Sequence, residues 1–156
     1  MSISTEQIHK ELELIQAIIS KVSSNSFEVK KWLVGILTAL IIFKNDELLG
    51  GNIRVIWLLG LPILCFWYLD AFFLSIEKFY REMYEWVITF RSQTDKYLYD
   101  LKTEKREYPQ GTVIDLKKTK NSVLSSAFSR TVWPFYLLPI TFIIIYIIIQ
   151  YSKTCH

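Results

Sequence analysis

Residues 131–151 read TVWPFYLLPITFIIIYIIIQY and carry no charged side chain. As a helix with a rise of about 1.5 Å per residue, this stretch is about 31 Å long, which matches the hydrocarbon core of a bilayer. A soluble domain of this size seldom needs so long a uniformly apolar helix. The sequence therefore predicts a transmembrane helix here, in an all-α protein embedded in a membrane.

Two further apolar stretches are predicted to cross the bilayer. Residues 55–76 are long enough and are interrupted by one charged side chain, Asp70. The third apolar run, residues 32–43, is about 18 Å long as a helix and falls short alone. Extended to residues 27–49 it reaches about 34 Å, with Lys30 and Lys31 close to one end and Lys44, Asp46 and Glu47 near the other, where long side chains can extend to the headgroups. We therefore predict three transmembrane helices.

The distribution of Lys and Arg predicts the orientation. Of the 18 basic residues, four lie before residue 32, eleven lie within residues 78–130, and the remaining three lie elsewhere. By the positive-inside rule, residues 1–26 and 92–130 are predicted to be cytoplasmic and the tail, 152–156, to be external. This topology also explains the net charge of +3, which therefore does not indicate nucleic-acid binding.

Residues 1–26 are predicted to form an amphipathic helix, with Ser4 and Gln7 at capping-box spacing. Apolar side chains then recur every three or four residues and form one stripe, the candidate face for a partner or for oligomerisation: Ile8, Leu12, Ile15, Ile19 and Val22. Its partner is the extension of the second transmembrane helix, another subunit or the membrane surface. The polar run at residues 23–26 is predicted to end the helix or to form a short elbow.

The second transmembrane helix has no stop signal at its inner end. The helical pattern continues to Arg91, with opposite charges at four-residue spacing in Glu77 and Arg81. Residues 54–91 are therefore predicted to form one helix that crosses the membrane and extends into the cytoplasm. The extension has an apolar face, composed of Phe79, Met83, Trp86, Val87 and Phe90. The N-terminal helix is the obvious segment to cover it.

The connection 92–130 has weaker signals. Residues 108–111 read YPQG and indicate a turn, and residues 112–116 are predicted to be a short extended segment. Lys117, Lys118 and Lys120 then precede the third transmembrane helix. Three lysines beside a membrane are weak indicators of contact with lipid headgroups or nucleotides.

Asp70 is the residue of greatest functional interest, because a carboxylate within a membrane helix is costly and usually faces a partner or water. Lys30 or Lys31, at the matching end of the first helix, is the predicted counter-ion. The commoner interpretation is a structural ion pair near the interface, and the alternative is a gate or part of an ion pathway. At heptad spacing, Asp70, Glu77, Tyr84 and Arg91 share one stripe, which could line an aqueous axis between subunits or form a solvated helix face. The candidate residues for an intramembrane ion pair or gate are Asp70, Lys30, Lys31, Glu77 and Arg81.

The sequence contains no pattern that predicts catalysis or a cofactor. There is no glycine-rich phosphate loop, no nucleophile beside a base, no pair of catalytic carboxylates, and no His or Cys at metal-ligand spacing. Cys65 lies in the second transmembrane helix and Cys155 in the external tail, so they are not expected to pair within one chain. A bridge between subunits through Cys155 is the alternative. We therefore predict that the protein is not an enzyme and binds no cofactor or metal.

Several stretches together resemble a widespread, largely uncharacterised group of small bacterial membrane proteins with three spans. They are residues 14–19 (LIQAII), 25–27 (NSF) followed by a basic residue and Trp32, 66–74 (FWYLDAFFL), Glu77, 81–84 (REMY), 128–131 (FSRT) and 135–136 (FY). Some members look like products of antiviral defence or mobile-element loci. The resemblance implies a multi-pass protein of the bacterial inner membrane.

Two functions follow as expectations. The first is an oligomeric effector in antiviral defence that perturbs the membrane or forms a pore, with the lipid bilayer, further copies of the chain and a cytoplasmic protein as partners. The alternative is a membrane anchor or adaptor that recruits a soluble effector enzyme or complex. The oligomer is expected because of the apolar stripe and because three helices are too few to enclose a pore.

Overall fold

The computed structural model describes residues 4–43, 53–107, 111–116 and 121–154. Most of these residues are helical, which confirms the all-α prediction. The elements are α1 (Thr5–Phe43), α2 (Ile53–Phe90), a 3₁₀ turn (Arg91–Gln93), β1 (Arg106–Glu107), β2 (Val113–Ile114), α3 (Val123–Ala127) and α4 (Trp133–Thr154). The connection between the first two predicted spans, the basic cluster of Lys117, Lys118 and Lys120, and Cys155 lie outside the described residues.

Helix α1 is continuous over 39 residues, so the elbow predicted at residues 23–26 is wrong. The capping box is confirmed, because the Ser4 amide donates to Gln7 Oε1 at 3.0 Å and the Gln7 amide donates to Ser4 Oγ at 3.3 Å. Serine weakens a helix when its hydroxyl competes for backbone groups, but Ser26 instead donates to the Asp70 carboxylate on α2. The Ser26 hydroxyl therefore binds a group on α2 and does not compete with the backbone hydrogen bonds of α1.

Helix α2 has 38 residues and is roughly 57 Å long, with Pro62 inside it. Within the described ranges, the segment Trp57–Gln93 is the one helical stretch long and apolar enough to cross a membrane, and 28% of its most apolar part is buried within the chain. The apolar section of α4, Trp133–Ile149, is shorter. Length and composition thus support one of the three predicted spans.

The first half of α1 packs against the second half of α2, and together with residues 94–107, 111–116 and 121–127 they form what we call the headpiece. Its core contains the following buried residues: Ile15, Ile19, Phe79, Tyr80, Met83, Trp86, Val87 and Ile114. Ile8 and Leu12 are partly buried against the same core. The stripe proposed as a partner or oligomer face is therefore used within the chain, on the extension of α2. Val22, at the end of the stripe, is half-buried.

The second half of α1, the first half of α2 and α4 form a second unit, which we call the bundle. Leu33, Ile63, Val132 and Tyr136 are its buried centre. Large apolar side chains cover its outside, including the exposed Phe142. Such a surface is typical of helices that face lipid.

Residues 94–107 and 111–116 close one side of the headpiece. Strands β1 and β2 pair antiparallel over two residues each, with Arg106 opposite Ile114, and Ile114 packs into the headpiece core. This agrees with the predicted extended segment. Tyr97 and Tyr99 have positive φ angles of 63° and 57°, a conformation that is costly for residues with a side chain.

Candidate functional site

Asp70 lies where the headpiece meets the bundle, and its side chain is completely buried. Lys30 Nζ on α1 lies 2.5 Å from Asp70 Oδ2, and the Ser26 hydroxyl donates to Asp70 Oδ1. Lys30 also donates to Ser26 Oγ at 3.1 Å, so the three side chains form a closed triangle. A buried carboxylate needs such partners, because an isolated charge in a low-dielectric environment is very costly.

Lys31 does not take part in this cluster. Its ammonium group pairs with Glu28 on the same helix and lies 5.2 Å from the centre of the Phe27 ring, and its side chain is 53% exposed. The reason is helical geometry, since Lys30 is four residues after Ser26 on the side facing α2, whereas the next residue is rotated by about 100°. Of the two predicted counter-ions, the structure brings Lys30 to Asp70.

Glu77 and Arg81 form a separate pair within α2. Arg81 Nε and Nη2 donate to Glu77 Oε1 at 2.9 and 2.7 Å, and the Arg81 side chain is 60% exposed. Ion pairs between residues four positions apart on a helix surface contribute about 0.3–0.5 kcal/mol to the free energy of unfolding. The pair of Glu77 and Arg81 does not join the Asp70 cluster.

The proposed stripe of Asp70, Glu77, Tyr84 and Arg91 does not form an aqueous axis within the described chain. Its two ends, Asp70 and Arg91, are both buried and belong to separate polar clusters with different partners on α1. Helix α1 covers both ends, because its apolar stripe and its polar residues face α2 together. The interpretation of this stripe as a water-lined path between subunits is therefore not supported by the single chain.

Two members of the Asp70 site were not predicted from the sequence to belong to it. Ser26 lies in the polar run that predicts a helix end or elbow. Tyr136 on α4 is completely buried, and its hydroxyl donates to the Phe66 carbonyl at 3.1 Å while interacting electrostatically with Asp70. Its ring stacks on Trp67, with 6.1 Å between ring centres. The site therefore ties all three long helices together at one level.

A second buried ion pair, between Glu11 and Arg91, lies in the headpiece. Arg91 Nε donates to Glu11 Oε2 at 2.6 Å and Arg91 Nη2 donates to Glu11 Oε1, so the contact is bidentate. Arg91 also donates to the Lys96 carbonyl at 2.7 Å, and the Tyr99 amide donates to Glu11 at 3.4 Å. The guanidinium group lies 4.9 Å from the centre of the Trp86 ring. The pair therefore joins α1, the end of α2 and the loop that follows.

Sequence reasoning missed this pair, although one signal for it exists. Glu11 lies three residues after Ile8 and four residues before Ile15, so it is placed on the apolar stripe of α1 rather than on its solvent face. A charged residue in such a position requires a buried partner. The pattern does not identify Arg91 as that partner, since the two residues are 80 positions apart.

The bundle also contains an apolar cavity of about 430 Å³. It lies between the outer parts of α1, α2 and α4, and its walls are formed by Leu37, Ile41, Leu59, Ile63, Leu138, Pro139, Phe142, Ile143 and Tyr146. Nearly all of the exposed lining is carbon. A cavity of this kind does not hold a chain of water molecules, because water needs polar partners.

An exposed ion pair lies beside the short sheet of the headpiece. Lys105 Nζ lies 2.6 Å from Glu107 Oε1, beside β1. This hydrogen bond, strengthened by the attraction between the two charges, raises the pKa of Lys105 and lowers the pKa of Glu107. Both groups are solvent-exposed, so the pair takes no part in the two buried clusters.

Within the described ranges, no three His, Cys, Asp or Glu side chains are placed to bind a metal ion together. No protein-family model, curated protein or solved structure matches this chain. The two buried ion pairs and the apolar surfaces of the bundle are therefore the features of the chain that bear on its function.

Proposed function

We propose that this chain is a non-enzymatic, three-span protein of the bacterial inner membrane that assembles into homo-oligomers and perturbs bilayer permeability. The apolar exterior of the bundle and the length of α2 support its placement in a membrane. The excess of Lys and Arg in the headpiece segments supports a cytoplasmic headpiece and an external C-terminus. A role in antiviral defence rests on the sequence resemblance alone.

The observation that carries this proposal is the Asp70 site. A carboxylate in the apolar part of α2 is paired with the half-buried Lys30 where α1, α2 and α4 meet, and the carboxylate itself is completely buried. Charged groups at membrane depth mark functional positions more often than other residues do. In this arrangement the site is closed, because Asp70 has no exposed surface.

The continuity of the helices supports control from the headpiece. Helices α1 and α2 run without interruption from the headpiece core into the bundle. A sliding of α1 along α2 within the headpiece would therefore move Lys30 relative to Asp70, because each residue lies on one of these two continuous helices. This provides a physical route by which a cytoplasmic partner controls the membrane segment.

The same geometry favours assembly of several copies. Within the described part of the chain, the bundle contains the sealed Asp70 site and an apolar cavity, neither of which provides a path for water. A permeable structure therefore needs several copies, or a bundle that has opened. The apolar stripe on α1 no longer supports oligomerisation, since α2 covers it.

A second function, that of a membrane anchor or adaptor, is favoured by a different observation. The headpiece has a core of its own, separate from that of the bundle, and its charged pair of Glu11 and Arg91 fixes the loop after α2. Such a rigid unit is suited to docking a soluble enzyme or complex. Under this alternative, the Asp70 site holds the bundle together and conducts nothing.

The two functions differ in what liposomes reveal. The full chain is reconstituted into vesicles of phosphatidylethanolamine and phosphatidylglycerol, and release of a trapped dye and of potassium is measured for the wild type, for Asp70→Asn and for Lys31→Met. The pore proposal expects leak that Asp70→Asn changes and that Lys31→Met leaves at the wild-type level. Inert vesicles for all three proteins, together with a soluble protein that co-purifies in stoichiometric amount, support the anchor.

A further inference from the structure

The segment that leads from the headpiece into α4 is fixed firmly to α2. The Asn121 side chain donates to Glu82 Oε2 at 2.9 Å, and Lys78 Nζ donates to Ser126 Oγ at 3.1 Å. Further toward the bundle, Trp67 Nε1 donates to the carbonyl of residue 127 at 3.0 Å. Three side chains of α2 therefore hold residues 121–128 against its surface.

Within this segment, the short helix α3 and the residue that caps its end each present one large apolar side chain to the outside. Leu124 is 76% exposed and Phe128 is 69% exposed. They are four residues apart, so they project from the same face of a helical turn. The Phe128 ring also contacts Trp67 edge to face, with 5.7 Å between ring centres. The chain thus holds two water-avoiding groups in fixed, exposed positions, which is a costly arrangement in water.

The position of Leu124 and Phe128 along the length of the bundle indicates what covers them. Trp67, which binds this segment, is three residues from Asp70, and α4 begins at Trp133, five residues after Phe128. At the same level α1 exposes Phe27 and Trp32, which flank the Lys30 that reaches Asp70. Large exposed aromatic side chains at one level of a helical bundle are typical of the zone where protein meets lipid headgroups.

We propose that Leu124 and Phe128 insert into the headgroup and upper acyl-chain region of the cytoplasmic leaflet, making α3 an interfacial foot that fixes the depth of the bundle. This inference rests on the membrane placement in the proposed function and adds the lipid-binding surface to it. Arg130, two residues later, is exposed and carries the positive charge that attracts anionic lipid phosphates.

A lipid surface fits this patch better than a second protein does. Stable protein interfaces bury about 800 Å² on each partner, whereas the foot offers two large side chains on one turn of helix. The patch is also continuous in sequence with the apolar start of α4, and it ends in a cationic residue. Phospholipid is the partner that covers a small apolar patch beside a transmembrane helix and also neutralises the arginine.

The test uses spin labels on the full chain. Cys65→Ser and Cys155→Ser remove the native thiols, and single cysteines are then placed by Leu124→Cys, Phe128→Cys, Phe142→Cys or Glu104→Cys. The labelled proteins are reconstituted into vesicles of phosphatidylethanolamine and phosphatidylglycerol. Electron paramagnetic resonance compares the accessibility of each label to oxygen, which concentrates in lipid, with that to a water-soluble nickel chelate.

The inference expects the labels at positions 124 and 128 to be more accessible to oxygen than to nickel, as the reference label at 142 on α4 is. The label at 104, an exposed headpiece position, should show the reverse. The Leu124 side chain is 76% exposed, so its label gives a result even where replacement of Phe128 disturbs packing on Trp67.

Three results would overturn the inference, and they differ in what else they affect. If the labels at 124 and 128 are nickel-accessible while that at 142 is in lipid, the foot is wrong and the membrane placement stands. If the label at 142 is also nickel-accessible, the proposed function itself fails. If the labels at 124 or 128 show spin–spin broadening that disappears on dilution with unlabelled chain, a second copy of the protein covers the patch instead of lipid.

Discussion

Glu11 and Arg91 are 80 residues apart in sequence and form a bidentate, fully buried ion pair that joins the first helix to the end of the second. Replacing one partner, as in Glu11→Gln, leaves the other charge buried without compensation. We expect this to lower the free energy of unfolding by about 3–5 kcal/mol. Chemical denaturation in detergent, followed by far-ultraviolet circular dichroism, measures the loss.

The double variant Glu11→Leu/Arg91→Met shows whether the ion pair stabilises the fold more than two apolar side chains would, or whether only the loss of one partner is costly. Two apolar side chains in place of the pair should recover most of the lost stability, because neither charge then has to be desolvated. Arg81→Met, which removes a surface partner of Glu77, is the matched control and should cost about 0.5 kcal/mol or less. A cost for Glu11→Gln as small as that of the control would show that the pair is not buried in the folded protein.

The adjacent lysines of α1 provide a direct test of the Asp70 site. Lys30→Met leaves a fully buried carboxylate without its counter-ion, and we expect a loss of about 2–3 kcal/mol in unfolding free energy. Lys31→Met removes an identical side chain one position away that pairs only with Glu28 on the helix surface, so its effect should be within about 0.5 kcal/mol. Equal effects of the two substitutions would contradict the assigned pairing.

How far the sequence predicts this fold depends on the range of each interaction. The second long helix was predicted over residues 54–91, and the structure has Ile53–Phe90 followed by a 3₁₀ turn, because the apolar run and the four-residue charge pairs are local signals. The capping box at Ser4 is equally local. Such patterns are repeated along one element and can be read without knowledge of its neighbours.

The buried clusters could be predicted only in part. Asp70 is conspicuous because it is a lone charge in an apolar run, and its partner could be limited to two lysines. Choosing between them requires the rotation of α1 relative to α2. The role of Tyr136 depends on how a third helix packs, and this information is spread over many weak contacts rather than over one pattern.

The serine-rich run tests whether α1 is continuous. In a helix interior, Ser23→Ala and Ser24→Ala each replace a weaker helix former by a stronger one at an exposed position, and each should raise the unfolding free energy by up to about 0.5 kcal/mol. At a helix end, the same changes would remove hydroxyl groups that cap backbone amides and would cost about 0.5–2 kcal/mol. An increase in the thermal midpoint therefore indicates that α1 is continuous through residues 23–26, and a decrease indicates that the helix ends there.

Ser26→Ala completes that series, because Ser26 differs from its neighbours in one respect. Its hydroxyl donates to the Asp70 carboxylate, and a hydrogen bond to a charged group contributes about 1.5–3 kcal/mol. We expect destabilisation of this size, opposite in sign to the effect at Ser23 and Ser24. If alanine at residue 26 is as harmless as at residue 24, the hydroxyl does not bind Asp70.

The apolar stripe of α1 makes a last prediction, about whether it packs within the chain or between chains. Ile15 is completely buried on α2, so Ile15→Ala should cost about 2–5 kcal/mol, whereas Leu14→Ala, at a partly exposed neighbouring position, should cost about 0.5 kcal/mol or less. Because the contact is intramolecular, the stability lost through Ile15→Ala relative to the wild type should be the same at low and high protein concentration, and the mass of the particle in mild detergent should stay at the wild-type value. If Ile15→Ala lowers the particle mass and high protein concentration restores it, the apolar stripe of α1 forms an interface between subunits.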